Sequence, residues 1–207
     1  MDIAGAVITL VIILFSMVLH ELAHGATAYW LGDTTAKDDG RLTLNPLKHL
    51  DPFMSVLLPM ILYFMNAPVF GGAKPVPVNS RNLKGKEWGM ALVALAGPLT
   101  NFILAFIGFL VYRFCGFNDI AMRFSIINLG FMIFNLIPIP PLDGSRLLYA
   151  IAPDGVRRFL EPMEIYGVFL VYILILTVGG TAFSSFITNG IYGILRFFVA
   201  ITGGTML

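Results

Sequence analysis

Ionisable side chains are scarce in this 207-residue chain: 12% of residues are Asp, Glu, Lys or Arg, about half the share usual in soluble domains, and 57% are hydrophobic. An ordinary soluble fold is excluded, and lipid becomes the solvent that organises the chain. A basic excess is also missing. With 13 Lys and Arg against 12 Asp and Glu the net charge is +1, which offers no cationic face to a nucleic-acid backbone. The single cysteine, Cys115, excludes an internal disulfide framework and a multi-cysteine metal site. Any metal must be held by His, Asp or Glu. Only three histidines occur, His20, His24 and His49, and two of them are four residues apart.

What the chain does have is long apolar runs. The first, Ile3 to about Leu31, would form a helix of roughly 43 Å, longer than a hydrocarbon core of about 30 Å. Asp2 stands where a secretory leader has its basic region, and no small-residue cleavage pattern follows Ile13 to Leu19, so the run reads as a span. Between Gly32 and Asp51 the alternation Arg41, Leu42, Thr43, Leu44, Asn45 before Pro46 predicts a short strand at the membrane surface. A second apolar run, Pro52 to Phe70, leads into Gly71, Gly72, Ala73, Lys74, Pro75, Val76, Pro77, Val78 and Asn79. The alternate prolines after two glycines predict an extended return segment. Further runs cover Trp88–Phe114, Ile120–Ile139, Ile165–Val178 and Phe183–Ile201, and Pro138, Pro140 and Pro141 break the fourth run just before Asp143.

The expected fold is an all-α polytopic membrane protein. It has about six transmembrane segments, a short membrane-associated β element and an extended return segment. Residues 1–207 form one domain, with a core at about 4–150 and accessory spans at about 164–202. If the N-terminus lies outside and the 52–79 region returns to the side it left, 11 basic residues fall inside and only Arg113 and Arg123 outside.

The chemistry concentrates at His20-Glu21-Leu22-Ala23-His24, an H-E-x-x-H motif. On a helix, residues i and i+4 share a face, so two imidazoles can grip one zinc ion while the glutamate stands beside the water to be activated. Ionisable residues at lipid depth are expensive and usually face a polar cavity in which they act. His24 lies about 10 Å and His20 about 16 Å along the helix from Leu31, within reach of water from that side. Catalytic zinc takes three protein ligands. His49, in a polar interfacial loop, and Asp143, after the proline break, are the candidates for the third. As a loop residue His49 would more commonly be solvated. Asp143 could instead cap a helix starting near Ser145, with Gly144 allowing unusual backbone, but a cap alone does not explain why the break comes at that depth. Asn101 and Asn135 interrupt apolar runs, and interhelical hydrogen bonding suffices for Asn101. Gly97-Pro98 reads as a tolerated kink where helices approach closely.

Five ordered motifs within residues 15–150 together resemble the site-2 protease family of intramembrane zinc metalloproteases. They are HELAH, Gly40-Arg41-Leu42-Thr43-Leu44-Asn45-Pro46, Lys74-Pro75-Val76-Pro77-Val78-Asn79, Gly97-Pro98-Leu99-Thr100-Asn101, and the segment Asn135 to Gly144 ending in Leu142-Asp143-Gly144. The likeness is to a minimal form without PDZ or CBS modules. It implies one Zn2+ per chain held by His20, His24 and Asp143, Glu21 as base, and Asn135 near the catalytic water.

The resemblance also implies a transmembrane protein substrate, cleaved within the bilayer of a prokaryotic cell by a site facing the cytoplasm. The substrate's unwound backbone would find partners on Arg41, Leu42, Thr43, Leu44, Gly72, Val76 and Asn79. Nucleic acid is not expected, and a homo-oligomer is compatible with the sequence. Two rival readings are a divalent-metal transporter and an inactive relative that binds membrane helices. The first conflicts with the absence of a paired repeat, and the second with the intact ligands and base.

Overall fold

The computed structural model describes residues 3–64, 72–116, 118–177 and 179–203. Eight α-helices appear among them: α1 (Ile3–Trp30), α2 (Thr35–Asp38), α3 (Leu58–Phe64), α4 (Glu87–Phe114), α5 (Asp119–Asn135), α6 (Asp143–Ile151), α7 (Asp154–Thr177) and α8 (Gly179–Thr202). Local chemistry sets several boundaries. Asn118 caps α5 by accepting from Ile120 N at 2.8 Å. Asp51 accepts from Phe53 N and Met54 N at the start of the π-helical turn Pro52–Leu57 that leads into α3. At its far end α5 stops at Asn135, three residues before the first proline of the break.

Among the described residues, three helices are long and apolar enough to cross a membrane: α1, α4 and the Thr181–Thr202 part of α8. The other three expected spans are not shown among the described residues. α5 has 17 residues, about 26 Å of helix. α7 opens on Asp154, Arg157 and Arg158, so the charged stretch before the fifth apolar run is itself helical. Of the second run only Pro52–Phe64 is described; its remainder through Phe70, Gly71 and Val178 lie outside the described residues.

The spans carry apolar side chains on the outside and small or polar ones within. α4 exposes Leu92, Leu99, Ile103 and Ile107 while burying Ala91, Gly97, Asn101, Ala105 and Gly108. α1 exposes Val7, Leu10, Val11 and Phe15 and buries Ser16, His20, His24 and Gly25. This is the pattern expected where the surroundings are as apolar as leucine and only small or polar groups gain from meeting another helix. α4 is central, packing against α1, α5 and α6, and α8 lies on α5. Phe198 of α8 is fully buried among Phe102, Phe106 and Phe109, with ring centroids 4.9 to 5.5 Å apart.

The strand predicted at Arg41–Asn45 does not form. Residues 42–44 bend, Thr43 N bonds back to Arg41 O at 2.9 Å, and Asn45 caps a 3-10 turn at Pro46–Lys48. A period-2 pattern makes a strand only when a neighbour completes its ladder. Here the Arg41 guanidinium instead turns inward to the carbonyl of Lys74. The described residues contain no sheet, only an isolated antiparallel bridge, Leu50 to Ala73. The return segment over 74–79 is non-helical, as its prolines require.

Candidate metal centre

His20 and His24 are one helical turn apart on α1, both buried and turned toward α4. Their Nε2 atoms are 2.9 Å apart. Asp143, the first residue of α6, brings Oδ2 to 3.2 Å from His20 Nε2 and Oδ1 to 3.4 Å from His24 Nε2. Each ring is held from behind. His24 Nδ1 donates to the Val93 carbonyl at 2.7 Å, and His20 Nδ1 lies 2.6 Å from Asn101 Oδ1. With both Nδ1 atoms donating, the two Nε2 lone pairs and a carboxylate converge on one point, and Asp143 Oδ2 has no hydrogen-bond donor.

Three electron-pair donors so placed repel one another unless positive charge lies between them. Donors about 2.0–2.1 Å from a tetrahedral ion stand about 3.3 Å apart. The observed separations bracket that value, so this donor set fits a divalent metal ion, and backbone and amide acceptors orient the imidazoles as metal-binding histidines require.

Two glycines make room for this geometry by close approach. A Cβ on Gly97 would come within 2.5 Å of His24 Nε2 and 2.6 Å of His20 Nε2, so α4 backs directly onto the imidazole pair. A Cβ on Gly144 would come within 2.2 Å of the Leu136 carbonyl. Gly144 is therefore needed for space and not, as the sequence suggested, for an unusual backbone: it sits within α6. Nor does Asp143 act as a cap, because α6 begins at Asp143 itself, after Leu142.

Comparison with known proteins places this site in context. No family model matches the chain. "Putative zinc metalloprotease YwhC" of Bacillus subtilis is 41% identical over 94% of this chain and 91% of its own length. The chain belongs to the site-2 protease family. Proteins of Mycolicibacterium smegmatis and Mycobacterium tuberculosis, both named "Putative zinc metalloprotease Rip2", are 34% and 31% identical. They match over 79% and 81% of this chain, which spans 64% and 65% of their length. No solved structure matches.

In this site-2 protease family member, Glu21 and Asn135 share a cavity of about 290 Å³ with His20, His24 and Asp143. Glu21 Oε2 accepts from Val76 N at 2.8 Å, so the return segment lies directly against the motif glutamate. Asn135 donates from Nδ2 to the Phe131 carbonyl of its own helix at 3.0 Å.

His49 lies outside this cluster. It is fully buried, not solvated, because its Nε2 donates to the Thr43 carbonyl at 2.9 Å and so pins the bend where a strand was expected. Arg41, expected at the substrate, is spent internally. It is 6% exposed and its Nη2 donates to the Lys74 carbonyl at 2.6 Å. Leu42 packs at Gly25 of α1, while Leu44 is exposed. Gly72 bonds to Met54 and Ser55, and Asn79 donates its amide to Asp33 Oδ2 at 2.7 Å.

Asp33 is itself fully buried beyond the end of α1. Burial pushes its carboxyl up, but hydrogen bonds from Thr35 Oγ1, Asn79 N, Asn82 Nδ2 and Thr35 N outweigh this and hold its pKa below the ordinary 3.8. The sequence offered no sign of this carboxylate's role; at Gly97 it pointed to a close helix approach but not to the imidazole pair as what is approached. Asn128 and Ser16, buried behind Asn101, could have been found as polar residues inside apolar runs.

Proposed function

We propose that this chain is an intramembrane zinc metalloprotease that hydrolyses a peptide bond within the transmembrane segment of another protein. The observation that carries the reading is the convergence of His20, His24 and Asp143, with Glu21 beside them, on helices that present apolar side chains outward. The three residues would hold zinc, which when bound supplies Lewis acidity for activating water and polarising the scissile carbonyl. Glu21 takes a proton from the attacking water and passes it to the leaving amine. For this its carboxylate must face the cavity, and the Val76 N–H orients it there.

A helical substrate hides its carbonyls in i to i+4 bonds, so it must unwind and find new backbone partners before it can be cut. The return segment suits this role. In extended chain, alternate residues point the same way. The Pro75 carbonyl lies on the Arg41 side, at 3.4 Å from Nη2, and Val76 and Val78 line the catalytic cavity. A substrate strand added along that edge would displace or share the Val76 N–H. The distribution of Lys and Arg supports a cytoplasmic active site in a prokaryotic cell membrane, with residues 1–207 acting as one domain.

The decisive experiment compares membrane-protein fragments between cells carrying the wild-type chain and cells carrying Glu21→Gln. The variant is expected to keep stoichiometric zinc and abolish cleavage; undiminished cleavage would remove the base assignment. Val76→Pro and Leu44→Pro should both slow cleavage with zinc retained, and full activity in both would exclude strand addition. Metal passing across sealed vesicles without any fragment would favour transport instead.

A further inference from the structure

The two histidines are oriented by different means. The acceptor behind His24 is a backbone carbonyl, Val93, which can only accept, so His24 Nδ1 must carry the proton. The acceptor behind His20 is the side chain of Asn101, whose amide could present either its oxygen or its nitrogen. Something must choose. Asn101 Nδ2 donates to Asn128 Oδ1 at 2.8 Å, and Asn128 Nδ2 donates to Ser16 Oγ and to the Phe124 carbonyl, both at 2.9 Å. Ser16, Asn101 and Asn128 are all fully buried, so water offers none of them an alternative partner.

The chain of bonds has one consistent polarity. The Phe124 carbonyl can only accept, which forces the Asn128 amide nitrogen toward it. The Asn128 oxygen therefore faces Asn101 and requires a donor, so the Asn101 nitrogen points back and its oxygen faces His20. His20 Nδ1 must then donate, leaving the lone pair on Nε2, the atom beside His24 and Asp143.

We propose that Asn128, two hydrogen bonds away from His20 and touching neither ligand nor cavity, is a positioning residue that selects the metal-binding tautomer of His20 through Asn101. The proposal rests on the metal-site reading above but concerns a proton whose position can be read without metal. Asn128→Leu removes the orienting bonds while keeping an apolar side chain of similar size. It leaves Asn101 free to turn its nitrogen toward His20, which then gains a lone pair at Nδ1 and a proton at Nε2. Asn101→Asp repairs this in the same chain, because a carboxylate accepts in either orientation and needs no selector.

The test uses the full chain in lipid nanodiscs, with nitrogen-15 in its histidine rings. In metal-free wild type, His20 should show the Nδ1–H tautomer. In Asn128→Leu it should shift toward Nε2–H while His24, held by Val93, stays unchanged. Zinc affinity, measured by competition with a chelator, should fall about 10- to 100-fold and recover in Asn128→Leu/Asn101→Asp.

An unprotonated Nδ1 with Nε2–H at His20 in the wild type would overturn the proposal without any variant. So would an Asn128→Leu protein of lowered thermal stability whose zinc affinity and His20 tautomer are unchanged, the result of a purely structural role. Should Asn128→Leu not fold, Asn128→Ser must show the same tautomer shift or the proposal fails. A wild type that binds no zinc yet shows the predicted tautomer would sink the metal reading and leave the relay standing.

Discussion

The two sides of the metal site are held by different forces. Toward α4 and α5, His20 and His24 are oriented by neutral hydrogen bonds among fully buried groups: Val93, Asn101, Asn128 and Ser16. On the opposite side the return segment is held by basic and acidic side chains. Arg41 takes the Lys74 carbonyl, Glu21 takes the Val76 amide and Asp33 takes the Asn79 amide. Neutral bonds among fully buried groups have no water competing for them. Bonds to charged groups are stronger singly but respond to protonation. The histidines are thus braced by a buried neutral network and the return segment by basic and acidic side chains, a division that suits the proposed entry of substrate along the return segment.

Several substitutions would break or sharpen that contrast. The largest effect should come from the ligands. Asp143→Ala or His24→Ala should lower zinc affinity by more than the roughly 100-fold upper bound for an outer-shell partner, as judged by metal content after dialysis against chelator. Next, Gly97→Ala attacks the histidine side itself. Its methyl cannot coexist with either imidazole, so overpacking of about 1–3 kcal/mol is expected together with a loss of zinc affinity that Gly89→Ala, remote from the rings, should not share.

On the return-segment side, Arg41→Met removes a charge-assisted bond worth about 1.5–3 kcal/mol. It should speed hydrogen exchange of the Val76 amide and raise KM more than it lowers kcat, leaving zinc affinity within a factor of about two if the two sides are independent.

The smallest effect is that of pH on Asp33. Its carboxyl has a folded value below its ordinary 3.8, so its contribution is complete above 3.8 and is lost as pH falls through the folded value. Protection of the Asn79 amide should follow that acid transition. An Asn79 amide that loses protection near neutral pH would refute this attachment.

Much of this was legible beforehand. The H-E-x-x-H spacing put both imidazoles on one face of α1, and α1 and α4 run where their apolar residues said they would, because helical periodicity and lipid-length runs are local properties. The chain order of motifs carried Asp143 to the site by resemblance alone. The predicted strand at Arg41–Asn45 was a misreading of equally local information: alternation describes a strand only if another strand lies alongside, and among the described residues none does.

What the sequence determined by itself, then, is the set of donors and the lipid setting, since residue type and period are written in order along the chain. Only the tertiary structure decided that Gly97 must lack a side chain, that His49 is a brace, that Arg41 serves the return segment, and that Asn101 answers to Asn128. His49 reaches only six residues back to Thr43, but the other three depend on groups 27 to 112 residues apart meeting in the fold, and the donor or acceptor character that matters there is set by what lies opposite.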